Sequence, residues 1–383
     1  MKNIYLDNAA ATPTDPRVVS AMNAAARLAG NPSAFNNAGR MARAAVEAAR
    51  TLIARFLNAR STEIVFTASG SEANNLALRG ALSRLKNPVV LTTPIEHPSV
   101  LQALACTPAR LVYIPVDRFG HVRTADIQKL LEKEKPDLIS IMYANNEIGT
   151  IQPIAKIGKV IREYAKRTGR RVVFHTDACQ AAGALDMDVQ RLGVDLLTFN
   201  GSKIYGPRGI GVTFVRRGTS VSGIVLGGSQ EYGLRAGTEN LPAIAGLAKA
   251  VSLIKPSENQ KVAKLRDWMI ELIKKELPEA VISGPEGDVR LPNNIHVSIP
   301  NMESEIVLVE LDKYGIYAGS GSACTSHEVE PSHVLKAIGL APAYLSGGLR
   351  FSLGRQTTKS DIEYTVKTLA RVVADLRKRY RNV

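Results

Sequence analysis

Short apolar runs rich in valine, isoleucine and phenylalanine alternate with stretches of helical period from residue 13 to residue 255. This alternation constrains the fold most, because it predicts a mostly parallel sheet covered by helices on both faces. The predicted strands are Ile64–Thr67, Val89–Thr93, Leu111–Val116, Leu138–Tyr143, Val172–Thr176, Leu196–Phe199 and Ile210–Val215. The predicted helices include Pro16–Leu28, Ala38–Leu57, Glu72–Leu85, Ile154–Arg167 and Leu241–Ile254. The sequence therefore predicts an α/β fold with a large seven-stranded sheet.

The pattern changes near Lys255 and Pro256, beyond which long helices alternate with fewer, shorter strands such as Ile295–Ile299 and Leu349–Leu353. A chain of 383 residues with 45% hydrophobic content is also long for a single core, since cores stop growing near about 250–300 residues. We therefore predict a large domain over residues 13–255 and a smaller α+β domain formed by residues 1–12 and 256–383.

The net charge of +14 favours acidic partners through long-range attraction. Aromatic residues make up only 5% of the chain and are not interleaved with the basic ones, so we predict no direct nucleic-acid binding. The opening residues contain no long apolar segment, and three cysteines fit a reducing compartment better than a disulfide framework. We therefore expect no membrane association and a cytoplasmic location.

Three strand ends carry chemistry, and ligands of open α/β sheets bind at the carboxyl ends of strands. Ser69, Gly70 and Ser71 follow the first strand and could cradle a phosphate, although a helix N-cap explains a lone serine there equally well. Asp177 ends a strand, where its carboxylate could pair with the protonated nitrogen of a pyridine ring. Lys203 follows the next strand in a glycine-rich turn, and a lysine there can hold a carbonyl cofactor as a Schiff base.

Cys324 lies among small residues in the run from Ser320 to Ser326, which is typical of a mobile loop that presents a second nucleophile. An inert small hydrophobe is the alternative. A lysine and a mobile thiol together indicate sulfur chemistry on an amino acid. We interpret Cys106 and Cys179 as structural, and the histidine spacing predicts no metal site built by the fold.

The chain resembles the cysteine desulfurases of the NifS and IscS family, which depend on pyridoxal 5'-phosphate and have the fold-type I architecture of class V aminotransferases. The resemblance is carried by ordered motifs over the whole length, which are Tyr5–Ala10, Asn145–Thr150, Gly233–Asn240, the Cys324 run with Glu330-Pro331-Ser332, and Leu349–Arg355.

The resemblance implies the roles of the site residues. Lys203 would bind the cofactor covalently, Asp177 would pair with its pyridine nitrogen, and His97 would stack on the ring and move protons. Other cofactor-binding residues would be Gly70, Ser71, Asn146, Gln180, Asn200, Ser202 and, from the neighbouring subunit of a homodimer, Thr238. Arg350 would bind the substrate carboxylate through its guanidinium fork, with Asn146 also close to the substrate.

The implied reaction removes sulfur from L-cysteine, leaving L-alanine and a persulfide on Cys324. The sulfur would pass to an iron–sulfur cluster scaffold protein or a tRNA thiolation acceptor, and Cys324 is a possible ligand of a transient cluster. One alternative is a selenocysteine lyase, or another lyase or transaminase with the same cofactor. Another is a non-catalytic cluster-assembly partner that only presents a thiol.

The sequence departs from the family pattern at four positions. Ser202 stands where a histidine usually precedes the lysine, which predicts weaker cofactor binding because one cationic phosphate donor is lost. Asn36, Tyr232 and Ala11 replace a histidine, an arginine and a threonine. These departures concern substrate preference and rate more than the class of reaction.

Overall fold

The computed structural model describes residues 3–320 and 331–380. Its strands are β1 (Ile4–Tyr5), β2 (Ile64–Thr67), β3 (Val89–Thr92), β4 (Arg110–Tyr113), β5 (Leu138–Ser140), β6 (Val173–Asp177), β7 (Leu196–Asn200), β8 (Gly211–Val215), β9 (Val281–Ile282), β10 (Asn294–Ser298), β11 (Ile316–Tyr317), β12 (Gly319–Ser320) and β13 (Gly348–Ser352). Its helices are α1 (Pro16–Ala26), α2 (Asn37–Phe56), α3 (Gly70–Leu82), α4 (Pro98–Ala105), α5 (Thr124–Glu134), α6 (Ile154–Thr168), α7 (Val189–Leu192), α8 (Leu241–Ser252), α9 (Pro256–Glu276), α10 (Ser304–Asp312), α11 (His333–Ala337) and α12 (Lys359–Tyr380).

The largest sheet has seven strands in the order β2-β8-β7-β6-β5-β3-β4. The strands β4, β3, β5, β6 and β7 pair in parallel, whereas β8 is antiparallel to both β7 and β2. The predicted seven-stranded, mostly parallel sheet is confirmed. The reversal at β8 follows from chain length, because only residues 201–210 connect β7 to β8, and a parallel crossover needs a dozen residues or more.

Residues beyond 255, together with the start of the chain, form two smaller sheets. One is antiparallel with the order β12-β13-β10-β9, and the other pairs β1 in parallel with β11. Ile4 and Leu6 belong to a second apolar core together with buried residues between Val262 and Leu376, separate from the core under the large sheet. The domain boundaries at residues 12 and 255 stay a prediction, which these two separate cores support.

A membrane span requires a helix that is both long and strongly apolar. None of those in residues 3–320 and 331–380 has both the length and the apolar character needed to cross a bilayer.

A buried ion pair that the sequence pattern did not predict connects α2 to the segment after β8. Arg50 and Glu231 are 3% and 2% exposed, and Nη1 and Nη2 of Arg50 donate to both carboxylate oxygens at 2.7 and 2.8 Å. Glu231 also accepts a hydrogen bond from the backbone N–H of Phe66 in β2. The pair therefore attaches residue 231 to the edge strand of the sheet.

Replacing Glu231 with glutamine should destabilise the protein by about 3 kcal/mol, because the buried Arg50 guanidinium would keep only the solvent-exposed Glu47 carboxylate as a compensating charge. Urea unfolding followed by circular dichroism measures this. Glu47, the exposed partner of the same arginine, is the matched control, and Glu47→Gln should cost no more than about 1 kcal/mol. Equal losses in the two variants would contradict the structural role given to the buried pair.

Candidate active site

The carboxyl edge of the large sheet brings the predicted lysine and aspartate together. Asp177 ends β6 and pairs in register with Thr198 of β7, and Lys203 lies three residues after β7 ends at Asn200. Because β6 and β7 are parallel neighbours, their carboxyl ends meet at the same edge. The structure therefore places an amine and a carboxylate at adjacent strand ends.

The Asp177 carboxylate is held on both oxygens. Oδ2 accepts a hydrogen bond from Asn74 Nδ2 at 2.7 Å, and Oδ1 accepts one from the backbone N–H of Cys179 at 2.9 Å. Asp177 is only 6% exposed, so these donors replace water around the charge. A fixed, buried carboxylate of this kind is suited to pairing with a protonated ring nitrogen.

Asn74 was missed by the sequence reasoning. It lies in α3, one helical turn after Gly70, and is fully buried among apolar neighbours of the same helix. A buried asparagine on an apolar helix face signals a specific hydrogen-bonding role, because burying an amide without partners costs free energy. In the sequence, Asn74 lies three residues after Ser71 and in the same predicted helix as Leu76 and Leu78.

His97 lies directly before α4 and caps its N-terminus. Its Nδ1 accepts a hydrogen bond from the backbone N–H of Ser99 at 3.1 Å and lies 2.8 Å from Ser99 Oγ. Burial lowers the pKa of His97, and the charges of Asp177 and Lys203 act on the ring, so all three side chains belong to one site. The lowered pKa favours the neutral imidazole near pH 7.

Residues 8–12 of the opening segment pass over the lysine turn. The Lys203 amine donates to the carbonyl oxygen of Ala10, and Gln180 Nε2 donates to that of Ala9 at 3.0 Å. Both side chains line a cavity of about 70 Å³, together with Asn8 and Thr12 from the opening segment. The first motif of the chain therefore forms one wall of the site.

The start of α3 packs tightly against the end of β7. A Cβ atom at residue 70 would lie 2.7 Å from Asn200 Nδ2 and 2.8 Å from Cys179 Sγ, so only glycine fits there. Cys179, interpreted from the sequence as structural, thus contacts the site, and burial raises the pKa of its thiol. Ser69 is the N-cap of α3, because its Oγ accepts from the N–H of Glu72 at 3.0 Å, which confirms the alternative interpretation for this serine.

This arrangement fits pyridoxal phosphate. The backbone N–H groups at the start of α3 can bind a phosphate, and the glycine lets that turn approach the end of β7. Ser202, which stands in place of the usual histidine, donates from Oγ to Asn200 Oδ1 at 3.1 Å. Asn200 in turn lies against Gly70 at the start of α3, so Ser202 belongs to the same predicted phosphate site. The buried carboxylate of Asp177 and the amine of Lys203 complete the set of groups that the cofactor requires.

Arg350 and Asn146, the two residues predicted to lie at the substrate, are next to each other. Arg350 in β13 is 3% exposed, and its Nη1 donates to the Asn146 carbonyl oxygen at 3.1 Å. Its Nη2 donates to Asp7 Oδ1 at 2.9 Å, a contact that sequence reasoning missed. A buried guanidinium of this kind, in β13 and in contact with the Asn146 loop, can bind a carboxylate strongly.

One predicted site residue of the described part of the chain, Thr238, does not lie in this group. Thr238 is exposed and lines a separate cavity with Gly209 and Arg235. Cys324 lies outside the described residues.

Cys106, interpreted from the sequence as structural, follows α4 and is exposed, so it does not belong to the core. Within residues 3–320 and 331–380 no group of three or more His, Cys, Asp or Glu side chains could hold a metal ion.

Glu96, which directly precedes His97, is fully buried. Its Oε1 accepts hydrogen bonds from Thr93 Oγ1 at 2.7 Å and from the N–H of Met142 at 2.9 Å. Its Oε2 has no partner among the described residues. Burial, with a smaller contribution from the Asp177 charge, raises the pKa of Glu96 to about 8. The raised pKa favours the neutral carboxylic acid near pH 7.

Glu96→Gln should flatten the dependence of stability on pH. The folded pKa of about 8 lies above the unfolded value of about 4.3, so the folded state holds the extra proton between them. The unfolding free energy of the wild type should therefore fall as pH rises from about 5 to 8, by at most about 1.4 kcal/mol per pH unit from this group. Urea unfolding at several pH values measures the slope.

The control for this experiment is Glu132→Gln, since Glu132 is an exposed carboxylate of α5. It should follow the wild type at every pH. A Glu96→Gln variant whose slope equals that of the wild type would show that Glu96 is ionised in the folded protein.

The profile of the Aminotransferase class-V family matches residues 4–365. A cysteine desulfurase IscS of Dictyoglomus turgidum is 42% identical, over 98% of this chain and 96% of its own length. A solved NifS-like protein superposes with a TM-score of 0.88 at 32% identity, covering 97% of this chain and 100% of the other. A solved structure titled "SspA in complex with cysteine" superposes with a TM-score of 0.79 at 33% identity, covering 93% of this chain and 100% of the other.

The chain therefore belongs to the aminotransferase class-V family. Within that family its relatives are NifS-like and IscS proteins, which confirms the resemblance seen in the sequence motifs.

Proposed function

We propose that the protein is a pyridoxal-phosphate-dependent cysteine desulfurase that removes sulfur from L-cysteine and releases L-alanine. One observation carries the proposal, which is the placement of the Lys203 amine and the Asp177 carboxylate at adjacent strand ends. The relatives named cysteine desulfurase, at 42% identity over nearly the whole chain, support the same activity.

Residues at the carboxyl edge of the large sheet would hold the cofactor. Lys203 would supply the amine that binds it, the Asp177 carboxylate would pair with its ring nitrogen, and His97 would contact its ring. When bound, pyridoxal phosphate draws electrons from the substrate α-carbon. The remaining contacts come from the phosphate cradle and the site wall, and involve Gly70, Ser71, Asn146, Gln180, Asn200 and Ser202.

Arg350 binds and orients the substrate carboxylate. Its guanidinium is buried and already attached to Asn146, so little side-chain freedom is lost when the substrate arrives. Asp7 holds the same guanidinium from the other side and sets its direction. The substrate α-carbon is thereby fixed relative to the lysine turn.

Cys324 takes the sulfur. Its thiolate forms a bond to the substrate sulfur while the substrate carbon–sulfur bond breaks, and L-alanine leaves after the carbon gains a proton. The outer sulfur of the resulting persulfide passes to an acceptor in the cytoplasm, either an iron–sulfur scaffold protein or a tRNA thiolation protein, and Cys324 returns to its thiol form. The same thiol is a candidate ligand for a transient cluster on the scaffold.

The functional unit is a homodimer in which Thr238 reaches the phosphate of the neighbouring subunit. In one chain Thr238 is exposed and lies in a cavity separate from the lysine turn. A second subunit gives this exposed threonine a role in the site.

Lys203→Ala should abolish the yellow colour of the purified protein, because the covalent link to the cofactor is lost. Cys324→Ser should keep the colour and lose at least about 99% of sulfide release, since the sulfur acceptor is removed while the cofactor site is intact. Visible absorbance and sulfide release from L-cysteine in the presence of a reducing thiol measure the two effects.

The matched control is Cys106→Ser, which removes an exposed thiol at the end of α4 and should leave colour and rate unchanged. Sulfide release that persists in Cys324→Ser would contradict the desulfurase mechanism and favour a lyase. A colourless wild type that binds no added cofactor would favour a thiol-presenting partner instead.

Arg350→Lys should raise KM for L-cysteine by about tenfold or more. A lysine lacks the planar fork that binds both carboxylate oxygens, and hydrogen bonds to charged groups are worth about 1.5–3 kcal/mol. Steady-state kinetics with L-cysteine measure the change, and Arg377→Lys on the surface of α12 is the control. An unchanged KM would remove Arg350 from substrate binding.

A further inference from the structure

A continuous chain of hydrogen bonds joins Asp177 to His97 through Asn74 and Ser99. Asn74 Nδ2 lies 2.7 Å from Asp177 Oδ2 and 2.9 Å from Ser99 Oγ. Ser99 Oγ lies 2.8 Å from His97 Nδ1. Thr198 Oγ1 donates to Asn74 Oδ1 at 2.5 Å from the neighbouring strand. These hydrogen bonds therefore connect residues of β6, β7, α3 and α4.

The direction of every bond follows from the chemistry of the groups. Thr198 donates to Asn74 Oδ1, so the amide nitrogen of Asn74 faces Asp177, and its two hydrogens point to Asp177 Oδ2 and Ser99 Oγ. Because Ser99 Oγ accepts from Asn74, its own hydrogen is available for His97 Nδ1. The backbone N–H of Ser99 donates to the same ring nitrogen at 3.1 Å.

A ring nitrogen that accepts hydrogen bonds from an N–H group carries no proton. In neutral His97 the proton therefore lies on Nε2, the nitrogen on the opposite side of the ring from Ser99. Burial lowers the pKa of His97, which keeps the ring neutral near pH 7. Asn74 and Thr198 are fully buried, so water does not compete with the bonds that fix Asn74.

We infer that Asn74 is a positioning residue that fixes both the Asp177 carboxylate and, through Ser99, the Nε2-protonated tautomer of His97. The inference deepens the proposed function and rests on it for its catalytic meaning. Neutral His97 presents an N–H to its neighbours at Nε2 and cannot accept a substrate proton there. The base that first takes a proton from the substrate is therefore a different group, and Lys203 is the amine at the same sheet edge.

The tautomer is measured directly by nitrogen NMR of the full-length protein labelled with ¹⁵N-histidine. The chain has six histidines, and the His97 signals are assigned by their loss in His97→Gln. At a pH of about 8, where the neutral ring dominates, we expect a protonated Nε2 and an unprotonated Nδ1. A protonated Nδ1 would overturn the inference.

This measurement does not depend on the proposed activity. It is made on the protein as purified and again after cofactor is added, and it reports the tautomer whether or not sulfide is released. If the protein releases sulfide but His97 is protonated on Nδ1, only the role of Asn74 is refuted. If His97 is protonated on Nε2 but the protein releases no sulfide, only the proposed function is refuted.

Asn74→Ala should raise the population of Nδ1-protonated His97, because the Ser99 hydroxyl could then turn and accept from the ring, which leaves only the longer backbone N–H contact of Ser99, at 3.1 Å, to favour the Nε2-protonated form. It should also lower kcat by about tenfold or more with a smaller change in KM, since oriented proton-handling groups contribute about 10²–10⁴ in rate. Asn75→Ala is the matched control, as Asn75 lies on the exposed side of the same helix.

A second pair of variants keeps the test decisive if Asn74→Ala folds poorly. Ser99→Ala removes the hydroxyl link and should shift the tautomer ratio and kcat in the same direction, whereas Ser99→Thr keeps a hydroxyl and should restore both. An unchanged tautomer ratio in Ser99→Ala, or equal loss in Ser99→Ala and Ser99→Thr, would overturn the inference.

Discussion

The register between β6 and β7 is the constraint on which the site depends. It pairs Asp177 with Thr198, so a carboxylate and a hydroxyl from adjacent strands converge on the amide of Asn74 in α3. A shift of one residue would turn every side chain of the strand to the opposite face and remove both contacts. The ladder that stabilises the sheet therefore also sets the positions of the polar groups at its edge.

Burial at this edge explains why the polar groups are so well connected. A buried carboxylate is costly unless donors replace the lost water, and Asp177 receives one donor from a side chain and one from the backbone. Glu96 has hydrogen-bond donors on only one of its two oxygens among the described residues and carries a pKa of about 8. Both carboxyl groups are buried, but donors reach both oxygens of Asp177 and only one oxygen of Glu96 among the described residues.

The sequence predicted the strand pattern and the residues at strand ends, because both depend on local periodicity. It correctly placed Asp177 at the end of one strand and Lys203 just after the neighbouring strand, since consecutive strands of an alternating pattern usually pair. It did not predict the antiparallel direction of β8, which depends on the shortness of the connection from Asn200 to Gly211. Nor did it predict Asn74 or the Arg50–Glu231 pair, because each depends on contacts between residues far apart in sequence, up to 181 positions.

The two segments that flank residues 321–330 both end close to Arg350. On the upstream side, Gly319 pairs with Arg350 in the antiparallel ladder of β12 and β13. On the downstream side, the Ser332 hydroxyl donates to Glu147 at 2.6 Å and accepts from the N–H groups of Val334 and Leu335. Glu147 follows Asn146, whose carbonyl oxygen binds Arg350, so both flanks are attached to the same cluster. The chain thus enters and leaves the Cys324 segment beside the guanidinium proposed to bind the substrate, which supports the proposal that this cysteine receives the sulfur.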